Sequence, residues 1–266
     1  MLDVRHLTKV YPDGTVALKD LSFQVPDGAF LVIIGLSGSG KSTLLRCINR
    51  LIEPTEGEIL WDGVDLAKLK GEELRKVRRQ IGMVFQQFNL VKRSKVVTNV
   101  LAGRLGYTPT WRSISSGFSP EDRQRAREAM ARIGITQQAE KRADELSGGQ
   151  QQRVGIARAL MQGPKMILAD EPVASLDPVL AHSILQHLER LNQEDKITVL
   201  CSLHYLDLVQ RYASSVIGLR EGQLVYQGSR ENIRRMTDSE FKDIYGEEAE
   251  RAGGISGDIS PGENGG

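Results

Sequence analysis

Long apolar runs and cysteines are scarce in this sequence of 266 residues. The apolar runs are short, as at residues 30–34, whereas a membrane-spanning helix needs about 20 such residues. We therefore predict no membrane span. Polar residues interrupt the first ten positions, so we expect no secretory signal peptide either. The two cysteines, Cys47 and Cys201, fit no metal or redox spacing and are predicted to be reduced core thiols.

An excess of charge of either sign is also lacking. The 35 basic and 34 acidic residues leave a formal net charge of +1. Bulk electrostatic binding to nucleic acid or anionic lipid is therefore not expected. Six basic residues do cluster between Lys68 and Arg79, but Glu72 and Glu73 interleave with them. That pattern favours a solvated face over a nucleic-acid surface.

The order of predicted elements indicates an α/β fold with a mainly parallel sheet core. Residues 2–34 have the pattern of strands, and the continuous apolar run at 30–34 is typical of a buried parallel strand. From about residue 89 to 161 the pattern is helical, so we predict a helical subdomain inserted in the core. Further strands are predicted at 57–61, 81–85, 166–169, 197–203, 215–219 and 223–227. Helices are predicted at 41–51, 72–80, 121–133 (capped by Ser119) and 151–161. We also predict a loop at 104–118 and a disordered tail at 249–266.

A phosphate-binding pattern, G-x-x-x-x-G-K-[ST], lies between the strand at 30–34 and the helix that follows. Its glycines let the backbone wrap a phosphate, and the helix N-terminus adds positive potential. Lys41 is predicted to reach the β- and γ-phosphates of a nucleotide, and Ser42 to offer its hydroxyl to Mg²⁺. The predicted nucleotide-binding residues here are Gly35, Ser37, Gly38, Ser39, Gly40, Lys41, Ser42 and Thr43.

Two carboxylates, Asp170 and Glu171, end the apolar strand at 166–169. In an open parallel sheet the ligand lies at the carboxyl ends of the strands, so both acids are predicted to face the phosphate site. Asp170 is the predicted metal-organising residue, and Glu171 the group that accepts a proton from an attacking water. An acidic pair after a strand is more often part of a solvated loop. Because this pair occurs together with a phosphate loop, a functional site is favoured instead.

A second anion site is predicted at residues 147–150, where Ser147, Gly148, Gly149 and Gln150 precede a helix. A capping serine is the structural alternative, and it accounts for the serine but not for the paired glycines and the glutamine. ATP has one triphosphate, so two anion sites in one chain favour two copies arranged head to tail across each nucleotide.

With these motifs the sequence resembles the ATP-binding subunits of ABC transporters, whose signature matches residues 146–150 letter for letter. The resemblance covers residues 1–248 and implies one P-loop NTPase cassette that binds ATP and Mg²⁺. It implies that Ser147, Gly148, Gly149 and Gln150 bind the nucleotide. It also assigns Tyr11 to stacking on adenine, Gln86 to sensing Mg²⁺ and the attacking water, His204 to the γ-phosphate, and Asp177 to the loop that faces the partner subunit.

Each of these assignments has a structural alternative. Tyr11 could be a core or turn residue, and a lone histidine after a strand, such as His204, is more often structural. Asp177 precedes Pro178 and would make a good helix cap.

Several segments resemble the ATP-binding subunits of phosphonate importers more specifically. These segments are 46–49, 99–106, 110–113, 169–178 and 202–204. The resemblance implies the ATP-hydrolysing motor of an importer for phosphonate or phosphite, peripheral on the cytoplasmic face of the cell membrane. The implied partners are a second copy of this chain, transmembrane permease subunits and, indirectly, a periplasmic or extracellular solute-binding protein, but no nucleic acid.

The sequence leaves other functions open. An importer for another solute, such as polar amino acids, would have the same motor motifs. A soluble, non-transport ABC ATPase is less favoured, because the chain has one cassette, no heptad run and no cysteine cluster. A P-loop kinase would have no use for the second anion site.

Overall fold

Within the described residues, ten strands form, most of them where the sequence has short apolar or alternating runs. The structure, a computed structural model, describes residues 1–107 and 117–246. The strands predicted with bounds are confirmed, with ends that differ by at most two residues, and the short strand Val64–Asp65 had no prediction. The strands are β1 (Leu2–Val10), β2 (Val16–Val25), β3 (Phe30–Ile34), β4 (Glu56–Trp61), β5 (Val64–Asp65), β6 (Ile81–Val84), β7 (Met166–Ala169), β8 (Thr198–Ser202), β9 (Ser215–Arg220) and β10 (Gln223–Ser229).

These strands make two sheets. One sheet has the order β2-β1-β4-β5 and is antiparallel throughout. The other has the order β10-β9-β3-β8-β7-β6 and is parallel except for β10. The predicted α/β class, with a mainly parallel core and N-terminal antiparallel strands, is confirmed.

Hydrophobic cores cover both faces of the parallel sheet. Phe30, Val32 and Ile34 of β3 belong to the core on the helical side. Leu31 and Ile33 belong to the core that the antiparallel sheet and the first helix share. Because side chains alternate across a strand, the unbroken apolar run of β3 supplies both cores at once.

Nine α-helices are present in the described residues. The predicted helix at 41–51 ends three residues early, at Ile48, and the one at 151–161 begins three residues early, at Gly148. Helices after residue 177 had no specific prediction apart from the cap at Asp177. The helices are α1 (Lys41–Ile48), α2 (Gly71–Arg78), α3 (Val96–Leu101), α4 (Pro120–Arg132), α5 (Gly148–Leu160), α6 (Pro178–Asp195), α7 (Leu206–Tyr212), α8 (Arg230–Arg234) and α9 (Asp238–Tyr245).

The predicted loop at 104–118 is wrong at its start. Residues 104–107 belong to a 3₁₀ helix, Ala102–Tyr107, whose Gly103 packs against the backbone of α5. Residues 108–116 and the predicted tail at 249–266 lie outside the described part of the chain. The predicted cap of α4 is confirmed, because the Ser119 hydroxyl accepts a hydrogen bond from the Asp122 backbone N–H.

Helices α3, α4 and α5, which lie between β6 and β7 in the sequence, pack on one another. These two strands are neighbours in the sheet although the helices separate them in sequence. Over residues 85–107 and 117–165 the structure contains no strand, apart from an isolated bridge between Lys95 and Arg142.

Both cysteines are buried and unpaired, as predicted. Burial raises the pKa of the Cys47 thiol to about 11, so it stays protonated at neutral pH. Among the described helices, none combines the length and the apolar character needed to span a bilayer.

Candidate functional site

Four neighbouring strands of the parallel sheet end at one edge, and the predicted catalytic residues follow them. The phosphate loop follows β3, His204 follows β8, Asp170 and Glu171 follow β7, and Gln86 follows β6. Because parallel strands place their carboxyl ends together, residues far apart in sequence meet here.

The phosphate loop depends on two glycines. Gly35 has a φ of 142°, and a Cβ there would lie 2.2 Å from the Leu219 carbonyl oxygen. Gly40, which precedes α1, has a φ of 105°, and its Cβ would lie 2.6 Å from the Ala17 carbonyl oxygen. Only glycine fits both positions. Together they turn the chain so that α1 begins at Lys41 and its first N–H groups face outward, where an anion can be bound.

Lys41 is held inside this loop. Its side chain is 3% exposed, and its ammonium donates to the carbonyls of Gly35 and Leu36, both at 2.8 Å. Burial lowers the pKa of the ammonium, and the carboxylates of Glu171 and Asp170 offset part of that effect. Its Nζ lies 3.9 Å from Glu171 Oε1, so the loop and the end of β7 meet at this lysine.

The loop also has groups suited to an anion at its tip. The Ser39 hydroxyl is buried and has no hydrogen-bond partner among the described residues. Ser37 and Gly38 are exposed beside it. An unpaired buried hydroxyl costs free energy, and a phosphate oxygen would satisfy it. This observation fits a nucleotide phosphate.

Ser42 and Asp170 are joined across the sheet edge. Ser42 Oγ donates to Asp170 Oδ1 at 2.7 Å, and Asp170 is almost fully buried. Arg46 donates to the other Asp170 oxygen at 3.3 Å. A hydroxyl and a carboxylate are hard oxygen donors of the kind Mg²⁺ prefers.

No cluster of three or more His, Cys, Asp or Glu side chains in the described ranges could hold a metal by itself. Mg²⁺ usually takes one or two carboxylates together with substrate phosphates and water, so the sparse donor set fits that ion.

Glu171 adopts a backbone conformation that is unfavourable for an L-residue, with a φ of 46°. Its N–H donates to the Ser202 hydroxyl at 2.8 Å, which fixes the turn. This turn directs the carboxylate to His204, whose Nε2 lies 2.6 Å from Glu171 Oε1. The glutamate side chain is 15% exposed, so it is held in place yet reachable from the site.

Tyr11 lies against the start of α1. Its hydroxyl is hydrogen-bonded to the Thr43 hydroxyl at 3.2 Å, and the Lys9 ammonium lies 5.4 Å from its ring centroid. The tyrosine is only half-buried. It is therefore placed beside the phosphate loop, and one part of it stays open to solvent.

Gln86 is exposed, and its side chain makes no hydrogen bond to the rest of the described chain. It lines a cavity of about 460 Å³ together with Gln87, Gln151 and Ser175. The structure therefore brings Gln86 to the start of α5 and to the loop before Asp177. It does not bring Gln86 into hydrogen-bonding contact with Asp170.

The signature residues form a capping box at the start of α5. Ser147 Oγ accepts from the Gln150 N–H at 3.4 Å, and Gln150 Oε1 accepts from the Ser147 N–H at 3.1 Å. A Cβ on Gly149 would lie 3.0 Å from Leu180 Cδ1. The capping box therefore accounts for Gln150 as well as Ser147, and the contact with Leu180 accounts for Gly149. The sequence alone suggested a capping role only for the serine.

Gly148 is different. A Cβ there would meet nothing closer than Leu176 Cδ2 at 3.4 Å, and its φ is not positive. Nothing within the described chain requires glycine at this position. No hydrogen bond or ion pair between described residues joins 147–150 to the phosphate loop.

Asp177 caps α6, as its structural alternative predicted. Its carboxylate accepts from the N–H groups of Val179 at 3.1 Å and Leu180 at 3.0 Å. Val179, in the first turn of α6, is 78% exposed.

Sequence reasoning missed two contributors to the site. Arg46 is one helical turn beyond Ser42 and reaches Asp170, and Ser202 ends β8 and anchors Glu171. The spacing of Arg46 four residues after Ser42 was a usable signal, because such residues share a helix face. Ser202 had no local signal, since its role depends on β8 lying beside β7.

Proteins of known sequence resemble this chain over most of its length. The sequence pattern of the ABC transporter family matches residues 18–174. The chain is 52% identical to the phosphonates import ATP-binding protein PhnC of Staphylococcus saprophyticus, over 92% of this chain and 94% of that protein. It is 50% identical to the protein of the same name from Bdellovibrio bacteriovorus, over 94% of this chain and 95% of that protein.

Solved structures share the fold. A dimeric ATP-binding cassette in a post-hydrolysis state, bound to ADP and Pi, has a TM-score of 0.77 and 37% identity, covering 86% of this chain and 99% of that chain. A nucleotide-free ATP-binding cassette from an ABC transporter has a TM-score of 0.77 and 30% identity, covering 92% and 94%. This chain thus belongs to the ABC transporter family, as one of its ATP-binding cassettes.

Proposed function

We propose that this chain hydrolyses ATP to drive the import of phosphonate or phosphite. The observation that carries the ATPase assignment is the meeting of Lys41, Ser42, Asp170, Glu171 and His204 at one sheet edge. The solute class is supported by the relatives above, which are named phosphonates import ATP-binding proteins.

The ATP phosphates bind at the start of α1, where loop N–H groups, the Ser39 hydroxyl and the Lys41 ammonium supply donors. Ser42, Asp170 and Gln86 would hold Mg²⁺, which when bound polarises the phosphate oxygens. Tyr11 stacks on the adenine beside the loop.

Glu171 is the general base. Its carboxylate accepts a proton from the attacking water, whose oxygen forms a bond to the γ-phosphorus as the bond to the β–γ bridging oxygen breaks. The products are ADP and phosphate. His204 Nε2, 2.6 Å from Glu171 Oε1, fixes the orientation of the carboxylate. We assign the contact with the γ-phosphate to the same histidine.

Residues 147–150 act on the ATP of a second copy of the chain. Ser147, Gly148, Gly149 and Gln150 surround the N-terminus of α5, and Gly148 leaves space that no described residue of its own chain occupies. Asp177 and the exposed Val179 belong to the same proposed surface for the second copy. Residues 1–248 form one ATP-binding domain, in which the helical part at about 89–161 is inserted and can present the signature to the partner.

The chain acts at the cytoplasmic face of the cell membrane, attached to permease subunits that span it. The solute does not bind this chain, and the solute-binding protein acts on it only through the permease. Substrate choice therefore belongs to other subunits.

The solute assignment is tested by growth. Deleting the gene should abolish growth on a phosphonate or on phosphite as the sole phosphorus source, while growth on inorganic phosphate continues. The wild-type gene should restore growth, and a Lys41→Ala gene should not. Unchanged growth of the deletion strain on both compounds would exclude this solute class and favour another importer.

A further inference from the structure

The segment that follows β6 contains two consecutive residues in the left-handed region of backbone space. Phe88 has a φ of 55° and Asn89 a φ of 48°, although neither is glycine. Such conformations are unfavourable for most L-residues, strongly for phenylalanine and mildly for asparagine, and here the surroundings hold both residues in them. Gln86, the proposed sensor of Mg²⁺, lies two residues before this pair.

Arg158 is the side chain that holds the pair. Its Nη1 donates to the Asn89 carbonyl at 2.6 Å, and its Nη2 donates to the Phe88 carbonyl at 2.8 Å. Each guanidinium nitrogen serves one carbonyl in a fixed planar fork, whereas a lysine at this position would have a single nitrogen for both. Burial lowers the pKa of Arg158, and no carboxylate among the described residues pairs with it.

The same helix that carries Arg158 carries the signature. Arg158 is ten residues after Gly148 on α5, a distance of about 15 Å along a helix. The strained segment also meets the first turn of α5, since a Cβ on Gly148 would lie 3.8 Å from Phe88 Cζ. The segment is therefore connected to α5 both near its start and near its end.

We propose that Arg158 is a positioning residue that ties residues 86–89 to α5, so that Gln86 and the signature move as one unit. This inference rests on the proposed ATPase function. It assigns to Arg158 the coupling between the Mg²⁺ site of one cassette and the surface that this cassette offers to its partner.

General anchoring of the loop has a separate source. The buried Asn99 accepts from the Val91 N–H at 2.8 Å and donates to the Val91 carbonyl at 3.2 Å. Asn99 thus holds the residues after the strained pair. Loss of Arg158 should therefore release residues 86–89 locally and leave the rest of the helical part folded.

The first test measures this local release by amide hydrogen exchange in the full chain. In Arg158→Lys, exchange in the peptide over residues 85–90 should rise about tenfold, the scale of one lost hydrogen bond to a charged group. The matched control is Arg153→Lys, on the same helix, where the arginine donates to Ser183 Oγ at 3.0 Å instead. Equal exchange in both variants would overturn the proposal.

The second test asks whether Arg158 acts through Gln86. Arg158→Lys should lower kcat about tenfold, or raise the Mg²⁺ concentration for half-maximal ATPase about tenfold, at an unchanged KM for ATP. In a Gln86→Ala background the same substitution should have little further effect. Fully additive losses, or local release with unchanged kcat and Mg²⁺ dependence, would overturn it.

Glycine provides an independent check that does not depend on the stability of one variant. Asn89→Gly allows a positive φ without strain, so it should restore at least half of the kcat lost in Arg158→Lys. No restoration would contradict the role of the strained pair. A wild-type chain without ATPase activity would instead refute the proposed function. The exchange experiment would still test whether Arg158 holds residues 86–89 against α5.

Discussion

Glu171, the proposed base, makes contacts that hold its carboxylate in one place. One carboxylate oxygen lies 2.6 Å from His204 Nε2 and 3.9 Å from Lys41 Nζ. The unfavourable φ of 46° is maintained because the N–H is bound to Ser202. Backbone strain kept in this way is common at catalytic sites.

Replacing Glu171 by glutamine should separate binding from hydrolysis. Glu171→Gln keeps the size of the side chain, so MgATP affinity should stay near the wild-type value. Hydrolysis should fall about 100-fold or more, because the amide cannot accept the proton of the attacking water. Single-turnover ATPase and equilibrium nucleotide binding measure the two effects.

Glu189→Gln is the matched control, since Glu189 is a mostly buried carboxylate that pairs with Arg211 at 3.5 Å. It should leave the chemical step unchanged. Turnover of Glu171→Gln close to that of the wild type would remove Glu171 from the role of base.

At the scale of elements, the 3₁₀ helix Ala102–Tyr107 packs directly on the backbone of α5. A Cβ on Gly103 would lie 2.1 Å from the Arg158 carbonyl oxygen, and 2.8 Å from Met161 Cβ. These are backbone and Cβ atoms, which cannot turn aside as the end of a long side chain can. The packing of the helical part therefore requires glycine at position 103.

Gly103→Ala should accordingly destabilise the fold by about 1–3 kcal/mol, the usual cost of overpacking. Gly155→Ala, in α5, should instead stabilise it by up to about 1 kcal/mol through helix propensity, because its nearest neighbour would be Phe88 O at 3.9 Å. Urea unfolding midpoints of the two variants measure this difference. Equal midpoints would show that the contact at Gly103 relaxes.

At the scale of the whole molecule, the two proposed anion sites lie on separate parts of one chain. The phosphate loop begins at the end of β3, and the signature begins α5. Within the described ranges, no hydrogen bond or ion pair connects them. A symmetric pair of chains would bring each loop opposite the signature of the partner and create two equal sites.

A mixed dimer of Lys41→Ala and Gly148→Asp chains tests this arrangement. An acidic residue in the first turn of a helix is favourable, so Gly148→Asp should fold while it repels the phosphates of ATP. If sites are shared between chains, one site has both lesions and the other has none. Such a dimer should occlude about one nucleotide.

If each chain closes over its own ATP, both sites of the mixed dimer are damaged and no nucleotide is occluded. Tagged, purified heterodimers separate these outcomes, with dimer content measured on the same samples. The two homodimers serve as controls and should occlude none. Intact heterodimers that retain no nucleotide would refute the shared arrangement.

The sequence by itself determined the features that depend on neighbouring residues. The lysine of the phosphate loop, the apolar run of β3 and the caps at Ser119 and Asp177 act over a few positions. Their backbone geometry follows from local sterics and local hydrogen bonds, and the structure confirms these elements. The order of the predicted elements was sufficient to indicate the fold class.

The sequence predicted that the acids after β7 face the phosphate loop, but only the tertiary structure decided which side chains pair. Ser42 and Asp170 are 128 positions apart, and Arg158 and Phe88 are 70 apart. The first contact exists because β3, β8 and β7 are adjacent in the sheet, and the second because α5 packs beside the end of β6. Strand order and helix packing depend on burial of the whole chain, and no local pattern encodes them.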